Sequence, residues 1–554
     1  MSERETSVGE AVGTVLAALG VDTVFGLLGS GNMVVTNALV AGGATFHAAR
    51  HEGGATSMAD GWARVTGRVG VVSVHQGPGL TNTLTALGEA AKARTPLLVL
   101  SGETPAAALR SNFRIDQHGL VESVGAIAER VHGPATATAD AARALRRAEL
   151  ERRPVVLMLP IDTQTLPVPA GTERPPASPP IPAAPAPAAA AIAQVADLLA
   201  GAQRPAVVAG RGAVLSGARD SLEALGAQTG ALLATSAMAN GLFAGLPFAV
   251  GISGGFASTL GAELLAESDV VLSFGAGLNH WTTQHGSLIG DATTVVQVDL
   301  DPDAIGAHLR AALGVVGDAT ATAEALTAEL RRRGPAATGR RTPATAARIA
   351  AGRWRDEPYE DRSTARWIDP RTLSIALNDL LPADRAVAVD SGHFLGYAAM
   401  YLDVPDARRW VFANAFQAVG LGLGCAIGAA VADPERVTVA ALGDGGTFLA
   451  LPELETAARL GVRLLVVIYD DAAYGAEVHH FRALGQEVSL AQFPDADLAG
   501  IARAAGATAI TVRAAADLAP VAAWVDAGTG PFVIDAKVHP EVCAEWLEHA
   551  FRGG

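Results

Sequence analysis

An apolar, β-branched run at 436–442 leads into Gly443-Asp444-Gly445-Gly446-Thr447, and 27 residues after Asp444 a second such run ends at Asp470-Asp471. Glycines at the end of a strand let backbone N–H groups turn toward an anion, so the first segment reads as a phosphate cradle. A carboxylate beside phosphate makes chemical sense when a hard divalent cation bridges them, because Mg²⁺ takes oxygen ligands and typically one or two from carboxylates. The interval to Asp471 is one helix plus one strand, which brings both carboxylates to the same C-terminal sheet edge, where open α/β sheets bind ligands. GDG or DD alone is an ordinary turn sequence; with strand, helix and strand between them, they point to one metal and diphosphate site.

A second chemical signal is Arg50-His51-Glu52-Gly53-Gly54-Ala55, after the apolar ATFHAA and before a strand-like 69–75 and Gly77-Pro78-Gly79-Leu80-Thr81-Asn82. If buried there, Glu52 favours its neutral form and hydrogen-bonds a ligand nitrogen. A glutamate facing solvent at a helix N-terminus is the competing local reading. The glycines at 420, 422, 424 and 428 imitate a dinucleotide fingerprint, yet they follow no clean strand and lead to no acidic residue at the end of a next one. They read instead as close backbone packing.

Residues of these types need a sheet edge to hold them, and the chain supplies three blocks in which short buried-strand runs alternate with Ala/Leu-rich amphipathic stretches. The runs are 69–75, 96–102 and 154–160; then 205–210, 270–275 and 294–301; then 386–390, 436–445, 463–471 and 532–538. Pro and Ala dominate 166–190, a stiff extended connector. A second exposed connection, rich in Arg, Ala, Thr and Pro, runs over 333–366 and has room for a helix. The expected architecture is α/β, three consecutive doubly wound parallel-sheet domains over 1–165, 191–332 and 367–554.

Composition prunes the alternatives. Half of the 554 residues are apolar and the formal charge is −15 with no basic stripe, which argues against nucleic acid as a partner. Only Lys92 and Lys537 are lysines, and neither sits in a Walker loop or a pyridoxal motif. Two cysteines, Cys425 and Cys543, make no disulfide framework and no thiolate metal cage, and the charged N-terminus has no secretory core, so a cytoplasmic protein is expected. The uncharged stretch 411–432 is long enough for a membrane span, but Asn414, Gln417 and its glycines favour a loop and a packed helix.

HEGGA, GPGLTN about 25 residues later, and GDG followed by an acidic pair resemble the thiamine-diphosphate enzymes of the acetohydroxyacid (acetolactate) synthase, benzoylformate decarboxylase and pyruvate decarboxylase group, and the likeness extends over almost the full length. The resemblance implies a pyrimidine-binding domain, a central domain and a pyrophosphate-binding domain, with thiamine diphosphate and Mg²⁺ as cofactors. It implies that Glu52 bonds the aminopyrimidine with Pro78 and Asn82 near that ring. Asp444, Asp471 and the Ala473 carbonyl would ligate the metal. Gly392, His393, Gly443, Gly445, Gly446, Thr447, Tyr474 and Gly475 would line the cofactor, and Val419 would stand where the family places a larger apolar wedge. Glu477 matches a proton-handling glutamate, and His118 and His393 are further catalytic candidates. Phe113, Gln117, His118, His479 and His480 are candidates for touching substrate.

Two departures carry weight. Asp471 stands where the family usually has Asn, adding a charge, and GAGLNHW (275–281) lacks the arginines that follow the same strand in acetohydroxyacid synthases, so FAD is not expected. The implied activity is decarboxylation or carboligation of a small 2-oxo acid by a homodimer or homotetramer with sites between subunits and no membrane partner. An FAD-dependent 2-oxo acid oxidase on the same scaffold and a non-catalytic cofactor-binding subunit are the alternatives.

Overall fold

Strands such as Val437–Gly443 and Leu464–Asp470 have every residue buried, as a sheet covered by helices on both faces requires. The structure, a computed structural model, describes residues 5–169, 171, 180, 182–337 and 339–550, and within them the chain forms three such sheets of six parallel strands. The first contains Thr23–Gly26, Thr45–Ala48, Gly70–Val74, Leu97–Glu103, Ile127–Arg130 and Pro154–Pro160 (β1–β6) in the order β2-β1-β3-β4-β6-β5. The second contains Pro205–Ala209, Leu232–Thr235, Ala249–Ile252, Val270–Phe274, Thr294–Asp299 and Leu313–Val316 (β7–β12) in the order β12-β11-β10-β7-β8-β9. The third contains Arg385–Val389, Trp410–Phe412, Val437–Gly443, Leu464–Asp470, Thr508–Val512 and Phe532–Lys537 (β13–β18) in the order β14-β13-β15-β16-β18-β17.

The first and third sheets thus share one doubly wound topology, in which the strand order reverses between β1 and β3 and between β13 and β15, while the central sheet has the other doubly wound order, reversing between β7 and β10. Of the Pro/Ala connector, residues 172–179 lie outside those described, and a helix, Ala189–Gly201, has already begun at its end. The second connection carries the helix Pro343–Ala351.

The uncharged stretch resolves into strand β14, a loop, and the helix Gly422–Ala432. No helix among the described residues is long and apolar enough to cross a membrane. That helix crosses Glu52–Thr66 of the first domain so closely that the two backbones touch. A Cβ on Gly428 would strike the Met58 carbonyl, one on Gly61 the Cys425 carbonyl, and one on Gly424 would sit 2.7 Å from Ser57 Cβ. The glycine series is therefore a packing surface, as its failure to match a nucleotide fingerprint indicated.

Charge is satisfied where the helices meet. Arg64, fully buried, pairs with Asp60 at 2.7 Å and Glu89 at 2.9 Å and donates to the Phe412 carbonyl. Glu89 also accepts from the backbone of Ala415 and Phe416, so the first domain grips the segment leading to Val419. Buried charges survive only when paired in this way.

The crossing gives a direct test. Gly428→Ala must push two backbones apart, and overpacking of this kind costs about 1–3 kcal/mol. A lowered denaturation midpoint is expected, and an unchanged one would show that the helices can slide apart freely.

Candidate functional site

Strand β15 ends at Gly443, and the helix Asp444–Leu449 starts at the next residue, so the glycine-rich turn is itself the first turn of a short helix rather than a loop before a longer one. A second helix, Glu453–Leu460, follows. The glycines are required by their neighbours: a Cβ on Gly445 would lie 2.5 Å from the Tyr474 ring, and one on Gly446 would strike Asp390 Oδ2. Beside it, β16 ends at Asp470, and Ala472, with φ of 55°, turns the chain back so that Asp471, Ala473, Tyr474 and Gly475 face the cradle. Gly392, His393, Val419, Gly443, Gly445, Gly446, Asp444, Asp471, Ala473, Tyr474, Gly475 and Glu477 line one pocket at the C-terminal edge of the third sheet.

The electrostatics of that pocket are unusual. Burial pushes the carboxyl groups of both Asp444 and Asp471 well above the ordinary carboxylate range; Asp471 and then Asp470 add repulsion at Asp444, and Asp470 adds it at Asp471. Lys537, opposite Asp470 on strand β18, is already engaged, since its Nζ pairs with Asp470 at 2.5 Å, Asp495 at 2.7 Å and Asp535 at 3.1 Å. Among the described residues neither Asp444 nor Asp471 has an Arg or Lys partner. His393 Nδ1 lies 3.9 Å from Asp471 Oδ2, but burial, with His479 beside it, lowers its imidazole to about 3, so it is neutral. Its Nε2 accepts from the Ala544 N–H at 2.8 Å, which leaves the proton on Nδ1, facing Asp471.

Sequence reasoning missed Asp390. This fully buried carboxylate accepts from the backbone N–H groups of Gly420, Leu421 and Gly422, at 2.9–3.2 Å, and so fixes the loop that carries Val419 over the pocket. Burial raises it to about 6 against those three bonds. An aspartate at a strand end, directly before Ser391-Gly392, was the available signal.

A separate cluster lies in the first domain. Glu52 opens the helix Glu52–Thr66, is half-buried, and accepts from Asn82 Nδ2 at 2.9 Å. Pro78 starts the short helix Pro78–Thr81 after Gly77, whose φ is 61°. Phe113 is exposed, its ring 5.0 Å from that of His75. Neither Glu52 nor any of Pro78, Asn82, Phe113, Gln117 and His118 lines the pocket that holds Asp444. Within one chain the expected residues therefore fall into two half-sites.

Several of the expected side chains have partners within the chain. The buried Gln117 amide accepts from the Gly77 N–H and donates to the Gly102 carbonyl, both at 3.0 Å, so it braces the loop before Pro78. Thr447 turns its hydroxyl back to the Gly443 carbonyl at 2.8 Å, inside the helix. His118 is exposed and lies 3.3 Å from Glu122. His480 packs on Phe481, and the His479 ring lies tilted against that of His393 with centroids 4.5 Å apart. Glu477 is exposed at the mouth, where the pocket joins a cleft of about 2020 Å³ between the three domains, whose far wall includes Arg211, Gly275, Gly277 and His280.

Comparison with known proteins assigns all three domains. Residues 6–128 match the thiamine pyrophosphate enzyme N-terminal TPP binding domain, 192–326 the central domain, and 390–536 the C-terminal TPP binding domain. A sulfoacetaldehyde acetyltransferase of Rhodobacter capsulatus is 30% identical over 92% of this chain and 90% of its own. A probable 2-ketoarginine decarboxylase of Pseudomonas aeruginosa is 31% identical over 85% of this chain and 83% of its own. The solved thiamine diphosphate-dependent 4-hydroxybenzoylformate decarboxylase of Rhodococcus jostii RHA1 superposes with a TM-score of 0.82 over 96% of this chain and 99% of its own, at 21% identity, and shares the fold. Three domain matches in the order of the three sheets, with a full-length relative at this identity, establish that the chain belongs to the thiamine pyrophosphate enzyme family.

Proposed function

We propose that this enzyme decarboxylates a small 2-oxo acid, releasing CO₂ and either an aldehyde or, by joining a second carbonyl compound, an acyloin. The observation that carries the reading is the pair Asp444 and Asp471, two buried carboxylates with no basic partner beside a glycine turn that any Cβ would fill. That donor set suits a hard divalent cation, and the glycine turn suits the diphosphate the cation would bridge. The fit of thiamine diphosphate with Mg²⁺ is good at this end: Asp444, Asp471 and the Ala473 carbonyl would hold the metal, with Gly443, Gly445 and Gly446 against the phosphates. When bound, thiamine diphosphate supplies a carbon nucleophile and an electron sink for the electrons left as CO₂ departs.

The chain's own residues would then do four things. Glu52, steered by Asn82, would exchange a proton with the aminopyrimidine ring. Val419, held by Asp390 on one side and through Glu89 on the other, would fix the cofactor's bend. Glu477, at the mouth of the pocket, would hand a proton to the product carbon, and His393, backed by His479, would wall the pocket with a neutral imidazole. The cleft between the domains gives a small acid and a second carbonyl compound a route in. A relative named for decarboxylating 2-ketoarginine, itself a 2-oxo acid, supports the substrate class.

The two half-sites support a site shared between two copies. With Glu52 and Asn82 outside the pocket of their own chain, a complete site requires the first domain of one protomer against the third domain of another. A homodimer, or a dimer of dimers, meets that requirement.

Three outcomes test the reading. Glu52→Gln should lose about 10²–10⁴ in turnover while still binding cofactor, and Asp444→Ala should lose cation-dependent cofactor binding. Mixing these two inactive variants should restore activity, because a mixed dimer has one intact site; no recovery after proven subunit exchange would rule out the shared site. A panel of 2-oxo acids, with and without aldehyde acceptors, read by CO₂ release and product mass, decides between the two product types, and CO₂ release from none of them would refute the substrate class.

The carboxylate pair also sets a pH dependence. Because burial raises both groups, the folded chain keeps protons that the unfolded chain has already lost, so stability without divalent cation falls as pH rises from about 4, the ordinary carboxyl value, through the raised values. Mg²⁺ must displace those protons, so it should raise Tm more at pH 8 than at pH 6. Asp471→Asn, which removes one of the two charges, should raise the cation-free Tm at pH 8 and shrink the Mg²⁺ effect; equal Mg²⁺ effects at the two pH values would refute the pairing.

A further inference from the structure

The turn that carries Glu52 is not held by its own domain alone. The helix Glu453–Leu460 of the third domain reaches across to it, immediately downstream of the cradle in the same chain. Glu453, 2% exposed, accepts from the backbone N–H of His51 at 2.9 Å and of Arg50 at 3.2 Å, through Oε1, while Thr456 Oγ1 donates to its Oε2 at 2.7 Å. Glu455 pairs with Arg50 Nε at 2.6 Å, and Arg459 Nη2 donates to the Ala48 carbonyl at 2.6 Å. Gly54 leaves the space, since a Cβ there would strike the Glu453 carboxylate. The same turn is capped from within by His51 Nδ1, which accepts from the Gly53 N–H at 3.0 Å.

We propose that Glu453 is a positioning residue for Glu52: by holding the N–H groups of Arg50 and His51 it fixes the backbone from which the Glu52 side chain departs, and hence the direction of its carboxyl group. The physical argument is short. Glu52 is the first residue of its helix and its carboxylate has one side-chain hydrogen bond, to Asn82, so its direction depends on where the preceding two peptides lie. Those peptides sit on a strand-to-helix turn, where an unheld backbone has several conformations available. A buried acceptor shared by two consecutive N–H groups removes that freedom, and removing the acceptor leaves two donors unpaired. The clamp comes from the domain that carries the cradle, yet Glu52 does not line that chain's own pocket. The helix therefore joins each chain's diphosphate half-site to its aminopyrimidine half-site, which serves the neighbouring centre. This rests on the assignment of Glu52 above.

The test separates the clamp from that assignment. Glu453→Met keeps the volume and removes the acceptor, and Glu453→Gln keeps the oxygen that takes both N–H groups. For Glu453→Met we expect turnover to fall about ten- to a hundredfold, with KM and the cofactor dissociation constant within about threefold, since a small misplacement of a reacting group costs this much. In the cofactor-free protein, amide hydrogen exchange over residues 50–56 should quicken in Glu453→Met and stay near the parent rate in Glu453→Gln, which should also retain turnover. In a Glu52→Gln background, Glu453→Met should lower turnover no further. Should Glu453→Met fail to fold, Arg459→Met, which frees the Ala48 carbonyl from an exposed position, should give the same pattern at a smaller scale. Quickened exchange with undiminished turnover, or an equal loss in the Glu52→Gln background, would overturn the clamp. A Glu52→Gln variant of normal turnover would instead remove the glutamate assignment, whereas an inactive Glu52→Gln beside a healthy Glu453→Met removes the clamp alone.

Discussion

Two like charges placed side by side in a buried pocket organise this molecule. Asp444 and Asp471 are each at the end of a fully buried strand, so neither can swing into water, and the lysine at the end of the adjacent strand β18, Lys537, is held by Asp470, Asp495 and Asp535. An arrangement of this kind is unfavourable in the protein alone and favourable once a doubly charged cation enters. It makes the third sheet a frame whose register matters to within one residue. β15 and β16 pair Gly443 with Tyr469, which sets the two carboxylates on neighbouring strand ends. A one-residue slip would move one of them to the other face.

The rest of the architecture reads as support for the segments around that pair. The loop over the pocket is fixed from below by Asp390 and from the first domain by Glu89, itself held by the buried Arg64. The glycine crossing between Glu52–Thr66 and Gly422–Ala432 lets the first and third domains approach until their backbones touch, which no pair of larger residues would permit. The contacts between the first and third domains join residues some 300 to 400 positions apart, so neither outer domain has its site geometry when separated from the other. The central domain has a different topology and contributes a wall of the cleft rather than any of the carboxylates.

Much of this was legible in the sequence, for identifiable reasons. Ten of the strands announce themselves as β-branched runs because they are buried on both faces, as in Val270–Phe274 or Phe532–Lys537. The eight that do not have three to five residues: Trp410–Phe412 is buried but too short to show a pattern, and others at sheet edges, such as Leu313–Val316, have residues that meet solvent, so the composition loses its contrast. Asp444 and Asp471 were legible because strand ends and a helix-length interval locate them. The bonds of Gln117 were not: nothing in the neighbouring sequence says that its buried amide bridges Gly77 and Gly102. Asp390, Glu89 and Glu453 escaped for the same reason. Each acts by accepting backbone N–H groups from a segment 30 to 403 positions away, and no local pattern records the partner of such a bond.

That asymmetry has a physical root. A residue that touches a ligand must sit at an element's end, next to glycines that let the ligand approach, and both features are local. A residue that aims another one needs only an acceptor of the right length at the right place, which the tertiary fold provides and the neighbouring sequence does not. The same asymmetry bears on how the sheet edge holds Asp471 beside Asp444. A second buried carboxylate needs no new local signal, but it does need the surrounding positive charge to be arranged so that the pair is not neutralised. Lys537, drawn off by Asp470, Asp495 and Asp535, and His393, kept neutral by burial, are the residues that meet this condition, and both come from other strands and loops of the third domain. The charge at position 471 is thus a property of the whole sheet edge, set by where Lys537 and His393 are held as much as by the aspartate itself.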